Sequence, residues 1–427
     1  MLSFAALRRR EFSRLDEQRH TYADYTGSAL YGASQLRAQQ ALLAGGIFGN
    51  PHSESPASRA STHAIEHARD LVLQFFDTDR DSHDIVFTAN TTAAIKLVAE
   101  SYPFDSERAC VLSIDNHNSV NGIREYARSA GAAIRYINLE CGGVPPLSKG
   151  LFAFPAQSNF SGTRYPLALV GDAHERGLDV LLDAAAYAPS HALSLRECNA
   201  DFVALSFYKL FGWPTGVGAL IARRDALAKL RRPWFAGGTV LYASVDADRH
   251  RLRLGHDAFE DGTPNFLGIA TLPSGFALLN ELGMERIAAH VERLTSMFAD
   301  EVSGFATLYG RTTLNIDGVP YWDVEERARA ENISLRGGCF CNPGASELAF
   351  GLRGAGRCLD ALGDDFTVQR FAECAERPVG AVRVSFGIAN NDADVARVAA
   401  FLRRIHLAAR SQQFTASSRA IAATASN

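Results

Sequence analysis

The chain has 427 residues, of which 47% are hydrophobic and 21% charged, a typical globular composition with room for two domains around a large core. The formal net charge is only −4, so there is no basic footprint for nucleic acid or an anionic membrane. The N-terminus has no long apolar region, which argues against a secretory signal or a membrane span. We therefore expect a cytoplasmic protein.

The cysteines form no disulfide-framework pattern, and their number is odd. In a large soluble chain this predicts reduced thiols, most of them small core residues. The seven are Cys110, Cys141, Cys198, Cys339, Cys341, Cys358 and Cys374.

The first part of the chain is predicted to begin with a helix over residues 1–20. Residues 48–53, Phe-Gly-Asn-Pro-His-Ser, contain a Gly-Asn-Pro break that predicts a loop. Apolar residues at helical spacing then predict a packed amphipathic helix over residues 61–76, with Ser61 or Thr62 as its N-cap.

Strands and helices alternate along the next part of the chain. This alternation predicts an α/β fold with a mostly parallel sheet covered by helices on both faces. The predicted strands cover residues 84–88, 109–114, 133–139, 151–155, 180–183, 202–206 and 217–222, and the predicted helices cover 91–101, 120–129 and 167–176.

After Pro264 the pattern changes to that of a smaller α+β domain. Its predicted helices cover residues 267–282, 284–302, 319–330 and 392–408, and its strands cover 308–316 and 381–387. The predicted organisation is an N-terminal segment joining the small domain (1–47), a large domain (48–263), a small domain (264–410) and a disordered tail rich in Ser, Ala and Thr (411–427).

Two apolar runs between residues 181 and 220 each lead to an ionisable side chain, Asp183 in the first and Lys209 after the second. Open α/β sheets bind their ligands at the carboxyl ends of such strands. An acid and an amine there suit pyridoxal phosphate, because the lysine can form a Schiff base while the acid keeps the pyridine nitrogen protonated. Either residue alone could instead cap a strand or a turn.

Candidate phosphate ligands follow from the same pattern. Residues 87–95 predict a strand, a turn and a helix start, where the amides and hydroxyls of Thr91 and Thr92 can bind an anion. Threonine is also a common N-cap, so this signal is weak by itself. Ser206 is a further candidate for the same phosphate.

Two more polar residues follow predicted strands. His117 could stack on an aromatic cofactor and help to move protons, although a loop histidine is often structural. Asn159 follows the strand 151–155, and its amide could donate to the phenolic oxygen of the cofactor ring.

The last predicted strand places Arg383 opposite Val382 and Val384. Its guanidinium could bind an amino-acid carboxylate through two parallel hydrogen bonds, or it could be a surface arginine on an edge strand.

Cys339 and Cys341 lie in a glycine-rich loop, and Arg336 precedes Cys341 by five positions. No second pair at zinc-finger spacing accompanies them, so a structural zinc site is not expected. A flexible loop beside cationic groups instead suits a thiolate nucleophile.

Together these motifs resemble those of the class V aminotransferase-fold pyridoxal-phosphate enzymes. Within that family they are most similar to the cysteine desulfurase-like N-terminal domain of eukaryotic molybdenum cofactor sulfurases. The resemblance extends from about residue 20 to 405 and is carried by residues 48–53, 155–162, 206–212, 259–265 and 338–344. It implies the fold-type I transferase fold of this family.

The resemblance also implies roles for individual residues. Lys209 would carry the Schiff base, Asp183 would pair with the pyridine nitrogen, and His117 would stack on the ring. The phosphate would be held by Thr91, Thr92, Ser206, Thr263 and the turn 237–239, the last two from the partner subunit of a homodimer. Arg383 and Arg336 would bind the substrate carboxylate, and Cys341 would accept sulfur as a persulfide. Two positions depart from ordinary cysteine desulfurases, Tyr208 in place of a His and Ala186 in place of a Gln.

The expected function is therefore conversion of L-cysteine to L-alanine, with the sulfur passing through Cys341 to an acceptor that the sequence does not identify. A C–S lyase, a selenocysteine lyase or a tailoring aminotransferase is the alternative, and these have less need of Cys341. A non-catalytic cofactor-binding scaffold is disfavoured, because Lys209, Asp183 and Arg383 are all retained.

Overall fold

The computed structural model describes residues 2–144 and 149–424, with side chains up to residue 412. The strands are β1 (Thr21–Tyr22), β2 (His83–Thr88), β3 (Ala109–Ser113), β4 (Ile134–Ile137), β5 (Gly150–Pro155), β6 (Leu178–Asp183), β7 (Phe202–Ser206), β8 (Gly218–Arg223), β9 (Val240–Ser244), β10 (Arg249–Leu252), β11 (Thr307–Tyr309), β12 (Thr313–Asn315), β13 (Ile333–Ser334), β14 (Arg336–Gly338) and β15 (Ala381–Arg383).

The α-helices are α1 (Phe4–Glu11), α2 (Ser13–Glu17), α3 (Ala33–Gly45), α4 (Pro56–Phe75), α5 (Thr91–Ser101), α6 (Asn118–Asn121), α7 (Ile123–Ser129), α8 (Leu169–His174), α9 (Leu195–Cys198), α10 (Phe207–Phe211), α11 (Arg224–Leu227), α12 (Phe266–Ile269), α13 (Leu272–Leu282), α14 (Met284–Val302), α15 (Tyr321–Ala330), α16 (Pro343–Phe350), α17 (Gly356–Leu362), α18 (Val368–Ala375) and α19 (Asp392–Thr424). Two short 3₁₀ helices cover Gly255–Ala258 and Gly363–Asp365. The predicted disordered tail covers residues 411–427, and side chains are described only up to residue 412. The disorder therefore stays a prediction.

The chain divides by its contacts into two compact units. Of the described residues, the first comprises Leu2, Ser28–Ser158 and Arg164–Ala288, and the second comprises Ser3–Gly27, Asn159–Thr163 and those from Ala289 onward. Residues 28–47, which the sequence analysis assigned to the small domain, belong to the first unit by this criterion.

The first unit is built on a seven-stranded sheet of order β2-β8-β7-β6-β5-β3-β4. The strands from β7 to β4 are parallel, whereas β8 is antiparallel to both β7 and β2. The predicted α/β fold with a mostly parallel sheet is therefore confirmed. The reversal at β8 has a simple cause, because only residues 207–217 join it to β7 and a parallel crossover needs a dozen or more residues.

Apolar side chains cover both faces of this sheet, so β5 and β7 are buried along their whole length. Fully burying a Leu or Phe side chain stabilises the fold by about 1.5–3 kcal/mol. One core cluster includes Ile95, Val98, Leu112, Leu151, Leu181 and Phe202. This core holds the carboxyl ends of β5, β6 and β7 in fixed register.

The second unit contains a four-stranded antiparallel sheet of order β11-β12-β15-β14 and the parallel pair β1-β13. Its main core joins α14, α15 and α19 to these strands through residues such as Phe298, Val324, Val382 and Leu402. A second cluster surrounds Phe160, Phe340 and Phe350.

Several predicted elements are wrong in detail. The predicted helix 1–20 divides into α1 and α2 at Phe12, whose backbone is not helical. The helix predicted to begin at residue 61 begins at Pro56 with Ser55 as its N-cap. The predicted strand 308–316 is a hairpin of β11 and β12, which turns at Gly310, where φ is 79°.

The expectation of reduced thiols is wrong for two of the seven cysteines. Cys358 on α17 and Cys374 in the last turn of α18 form a disulfide, with Cα atoms 6.0 Å apart. The two helices are brought together by a turn of a few residues, and Cα atoms at this separation suit a disulfide. Among the described helices, none combines the length and the apolar character needed to cross a membrane.

Candidate active site

Asp183 is the last residue of β6, where its side chain is buried at the carboxyl edge of the sheet. The register pairs it with Pro155 of β5 and Ala204 of β7. Its Oδ1 accepts a hydrogen bond from the backbone N–H of Ala185 at 3.0 Å, and the residue is 8% exposed. The sequence predicted this place correctly, because the apolar run ends where the strand does.

Lys209 lies on the short helix α10, which begins directly after the end of β7. The helix ends at Gly212, where φ is 82° and an added Cβ would come within 2.2 Å of the backbone nitrogen of Tyr31. Only glycine fits that position. Lys209 therefore follows the strand next to β6, at the same edge of the sheet as Asp183.

Ser206 and Thr91 join the end of β7 to the start of α5. The Thr91 N–H donates to Ser206 Oγ at 2.8 Å, and the two hydroxyl oxygens are 2.6 Å apart. Asn90 caps the helix by accepting from the N–H of Ala93. A Cβ on Gly218 would lie 2.6 Å from Asn90 backbone atoms, so the glycine lets β8 pass directly beneath this turn.

His117 caps α6 with its ring. Nδ1 accepts a hydrogen bond from the Ser119 N–H at 3.1 Å, so the proton of the neutral ring lies on Nε2. The Ser119 hydroxyl also lies 2.8 Å from that of Thr92 and 3.0 Å from Nδ1. Sequence reasoning missed Ser119, although a serine directly before the predicted helix 120–129 was a usable signal.

Thr263 lies on an exposed loop that meets the motif at residues 48–53. The Asn50 side-chain amide donates to the Thr263 hydroxyl at 3.1 Å, and a ring nitrogen of His52 lies 2.9 Å from the carbonyl oxygen of Gly262. The N–H of Gly262 donates to the carbonyl of Gly237 at 2.7 Å. The motif 48–53 is thus a neighbour, in the first unit, of two segments predicted to bind the phosphate, the loop with Thr263 and the turn 237–239.

Arg383 belongs to the second unit, where it shares the carboxylate of Asp24 with Arg336. Asp24 accepts from Arg383 Nη2 at 3.0 Å and from Arg336 Nη2 at 2.7 Å and Nε at 3.0 Å. β15 lies between β12 and β14, and Arg383 is 2% exposed. The alternative of a surface arginine on an edge strand is therefore wrong.

The electrostatics of these two arginines differ because one is buried and the other is not. Burial lowers the pKa of the Arg383 guanidinium, and Asp24 opposes that shift. The pKa of Arg336 is raised, first by its hydrogen bond to Asp24 and in smaller part by the charge of Cys341. Sequence reasoning missed Asp24, which follows the short strand β1.

Cys341 is exposed in the turn between β14 and α16, and Cys339 is partly buried there. Burial raises the pKa of Tyr321, with Glu325 and Cys339 adding to the shift. The two thiols thus differ in exposure, and Cys341 is the more accessible of the pair.

Asn159 contacts this same turn. Its Nδ2 donates to the carbonyl of Phe340 at 2.7 Å, and its Oδ1 accepts from the side-chain amide of Asn342 at 3.0 Å. The role of Asn159 toward the cofactor ring oxygen stays a prediction.

The residues at the sheet edge fit pyridoxal phosphate. A buried carboxylate ends one strand, a lysine follows the next, and a helix start with two close hydroxyls provides an anion site. These features define a pyridoxal-phosphate-dependent enzyme of the α/β transferase fold.

Comparison with known proteins agrees with that class. Residues 21–398 match the family Aminotransferase class-V, and the chain belongs to this family. The chain is 34% identical to the molybdenum cofactor sulfurase of Solanum lycopersicum over an alignment 470 residues long, gaps included. The alignment covers 93% of this chain and 56% of that protein. The chain thus spans about half the length of the curated relatives it matches.

Solved structures share the fold at lower identity. The apo structure of a cysteine desulfurase from Thermococcus onnurineus NA1 superposes with a TM-score of 0.79 at 22% identity, covering 96% of this chain and 99% of that chain. A cystine C–S lyase in complex with its product cysteine persulfide has a TM-score of 0.71 at 17% identity and covers 91% and 98%.

Proposed function

We propose that the protein is a pyridoxal-phosphate-dependent cysteine desulfurase that converts L-cysteine to L-alanine and carries the sulfur on Cys341. The observation that supports this most directly is the exposed Cys341 thiol on the turn between β14 and α16. An accessible cysteine on such a turn can take up sulfur from a substrate and deliver it to an acceptor. The similarity to molybdenum cofactor sulfurases, whose name states a sulfur-transfer activity, supports the same proposal.

Different residues of the chain would have different roles. Lys209 and Asp183 would hold the cofactor, which would accept electrons from the substrate when bound. Thr91, Thr92 and Ser206 would hold its phosphate at the start of α5. The imidazole of His117, with its proton on Nε2, would stack on the cofactor ring.

Sulfur transfer itself would take place at Cys341. The thiolate attacks the substrate sulfur, an S–S bond forms, and the C–S bond of the substrate breaks. The remaining carbon skeleton takes up a proton and leaves as L-alanine. Arg336 and Arg383 would bind the substrate carboxylate, and the persulfide would then pass its outer sulfur to an acceptor.

We further propose that the protein works as a homodimer in the cytoplasm. The hairpin of β9 and β10 pairs with no other strand in the described chain, and an isolated two-stranded hairpin is marginally stable in water. Leu241 is 62% exposed, Tyr242 is 71% exposed and Leu254 is 88% exposed. An apolar surface of this kind typically marks an interface, and a second copy of the chain would cover it in a closed two-fold dimer.

Light scattering tests the dimer. The Leu241→Asp variant should shift to the mass of a monomer and lose activity, while Leu407→Asp, at a leucine that is 57% exposed on α19, should remain dimeric. A fully active monomeric wild type would contradict the dimer proposal.

Incubation with L-cysteine tests the activity. L-alanine should appear in solution, and peptide mass spectrometry should find one added sulfur on the peptide that contains Cys341. The fold match to a cystine C–S lyase favours one other candidate. A lyase acting by elimination would instead yield pyruvate, ammonia and sulfide, with no sulfur on Cys341.

A further inference from the structure

The turn that carries Cys341 has an unusual backbone. Phe340 and Cys341 have φ values of 57° and 56°, the left-handed region that favours glycine. Such a residue is strained and persists only where its surroundings hold it. Two in succession therefore require specific contacts on this turn.

Asn159 provides contacts on both sides of Cys341. Its amide nitrogen holds the Phe340 carbonyl at 2.7 Å, and its amide oxygen accepts from the Asn342 side chain at 3.0 Å. Asn342 in turn caps α16 by accepting from the N–H of Ala345. A single side chain thus fixes the residue before the thiol and the residue after it.

The Phe340 ring and the Asn159 backbone are themselves anchored. The Arg383 guanidinium lies 4.7 Å from the centre of the Phe340 ring, and its Nη1 donates to the Asn159 carbonyl at 2.7 Å. The ring of Phe160 lies 5.5 Å from that of Phe340. Arg383 of β15 therefore holds the backbone of Asn159 in place, so the Asn159 side chain can position Phe340 and Asn342.

We infer that Asn159 is a positioning residue for the Cys341 thiol. The inference rests on the proposed role of Cys341 as the sulfur nucleophile. The arrangement needs one donor and one acceptor at the end of a short side chain, which is the chemistry of an amide. An aspartate of the same size would keep the acceptor but place a carboxylate oxygen against the Phe340 carbonyl.

The test uses Asn159→Ala and Asn159→Asp, with Asn138→Ala as the matched control. Asn138 contacts another exposed cysteine, since its amide lies 3.4 Å from the Cys141 sulfur. Amide hydrogen exchange is measured on the protein without L-cysteine, and the kinetics of L-alanine formation are then measured on the cofactor-loaded protein.

Both Asn159 variants should speed exchange in the peptide 338–342 by about tenfold, a loss of local protection equivalent to about 1.4 kcal/mol. They should lower kcat for L-alanine formation by at least about tenfold while KM and the affinity for pyridoxal phosphate each change by less than about twofold, because thiol attack rather than substrate or cofactor binding is affected. Asn138→Ala should change neither quantity.

Unchanged exchange in this peptide would overturn the inference, because the turn would then be held without Asn159. Faster exchange with normal kcat would overturn it as well, since the contact would be merely structural. The proposed function fails in a different way, through a wild-type protein that forms no L-alanine, and the exchange data then still decide whether Asn159 holds the turn. If Asn159→Ala does not fold, Asn159→Asp carries the comparison.

Discussion

The hydroxyl oxygens of Thr91 and Ser206 lie 2.6 Å apart at the start of helix α5. Both residues are buried, and the Thr91 N–H also donates to the Ser206 hydroxyl. This links the strand that leads to Lys209 with a helix start that can bind a phosphate. The two halves of the proposed cofactor site are therefore built as one hydrogen-bonded group.

Ser206→Ala should weaken the binding of pyridoxal phosphate by roughly 10- to 100-fold, because the Thr91 N–H and hydroxyl both lose their partner. Absorbance titration of the cofactor-free protein measures this change. Ser129→Ala, at an exposed serine of the same unit whose hydroxyl bonds to the Tyr126 carbonyl, should leave the affinity unchanged. Equal affinities for the two variants would contradict the proposed phosphate site.

Lys209→Ala should abolish the visible absorption band of the lysine-linked cofactor and the lysine adduct that borohydride fixes in the wild type. Lys149→Ala is the control, since Lys149 lies at the surface with a side chain 60% exposed. A Lys209→Ala protein that retains a borohydride-fixed adduct at the same intensity would place the cofactor on another lysine.

Sequence patterns predicted that one strand ends at Asp183 and that another ends shortly before Lys209, because an apolar run and the polar residue that follows it are neighbours along the chain. Asp24 could not be predicted in the same way. Its partners Arg336 and Arg383 are 312 and 359 residues away in sequence, and no local pattern encodes such a contact. The direction of β8 was missed for a related reason, since it depends on the length of its connection rather than on its apolar residues.

Asp24→Asn should lower the free energy of unfolding by about 3–5 kcal/mol, the usual result of leaving a buried charge without its partner. Arg383 would lose its ion pair while its side chain is only 3% exposed. Asp16→Asn is the matched control, because Asp16 also pairs with an arginine, Arg8, but is 57% exposed. Its loss should cost less than about 1 kcal/mol. Urea denaturation of both variants makes the comparison, and equal losses would contradict it.

His256 and Asp84 should make stability depend on pH. Burial by itself lowers the pKa of His256, but its hydrogen bond to Asp84, at 2.9 Å, raises it overall. The stabilisation is then fully present below the unfolded pKa of about 6.5 and is lost as pH rises through the higher folded pKa.

The free energy of unfolding of wild type and His256→Gln should therefore differ more at about pH 6 than at about pH 8.5. The difference between the two proteins is the informative quantity, because burial lowers the pKa of His20, His83 and His290 and makes their contributions run the other way. A difference that grows with rising pH would show that the assigned direction is wrong.

Thiol chemistry at Cys341 is the feature that separates a desulfurase from other enzymes of this fold. The most direct measurement compares L-alanine formation and persulfide by mass spectrometry in Cys341→Ser and Cys339→Ser, both loaded with cofactor and incubated with L-cysteine. Cys341→Ser should bind cofactor and L-cysteine normally yet form at least about a hundredfold less L-alanine, because the nucleophile is gone. Cys339→Ser should keep substantial activity, since Cys339 is partly buried whereas Cys341 is exposed. Near-normal L-alanine production by both variants would contradict sulfur transfer through Cys341.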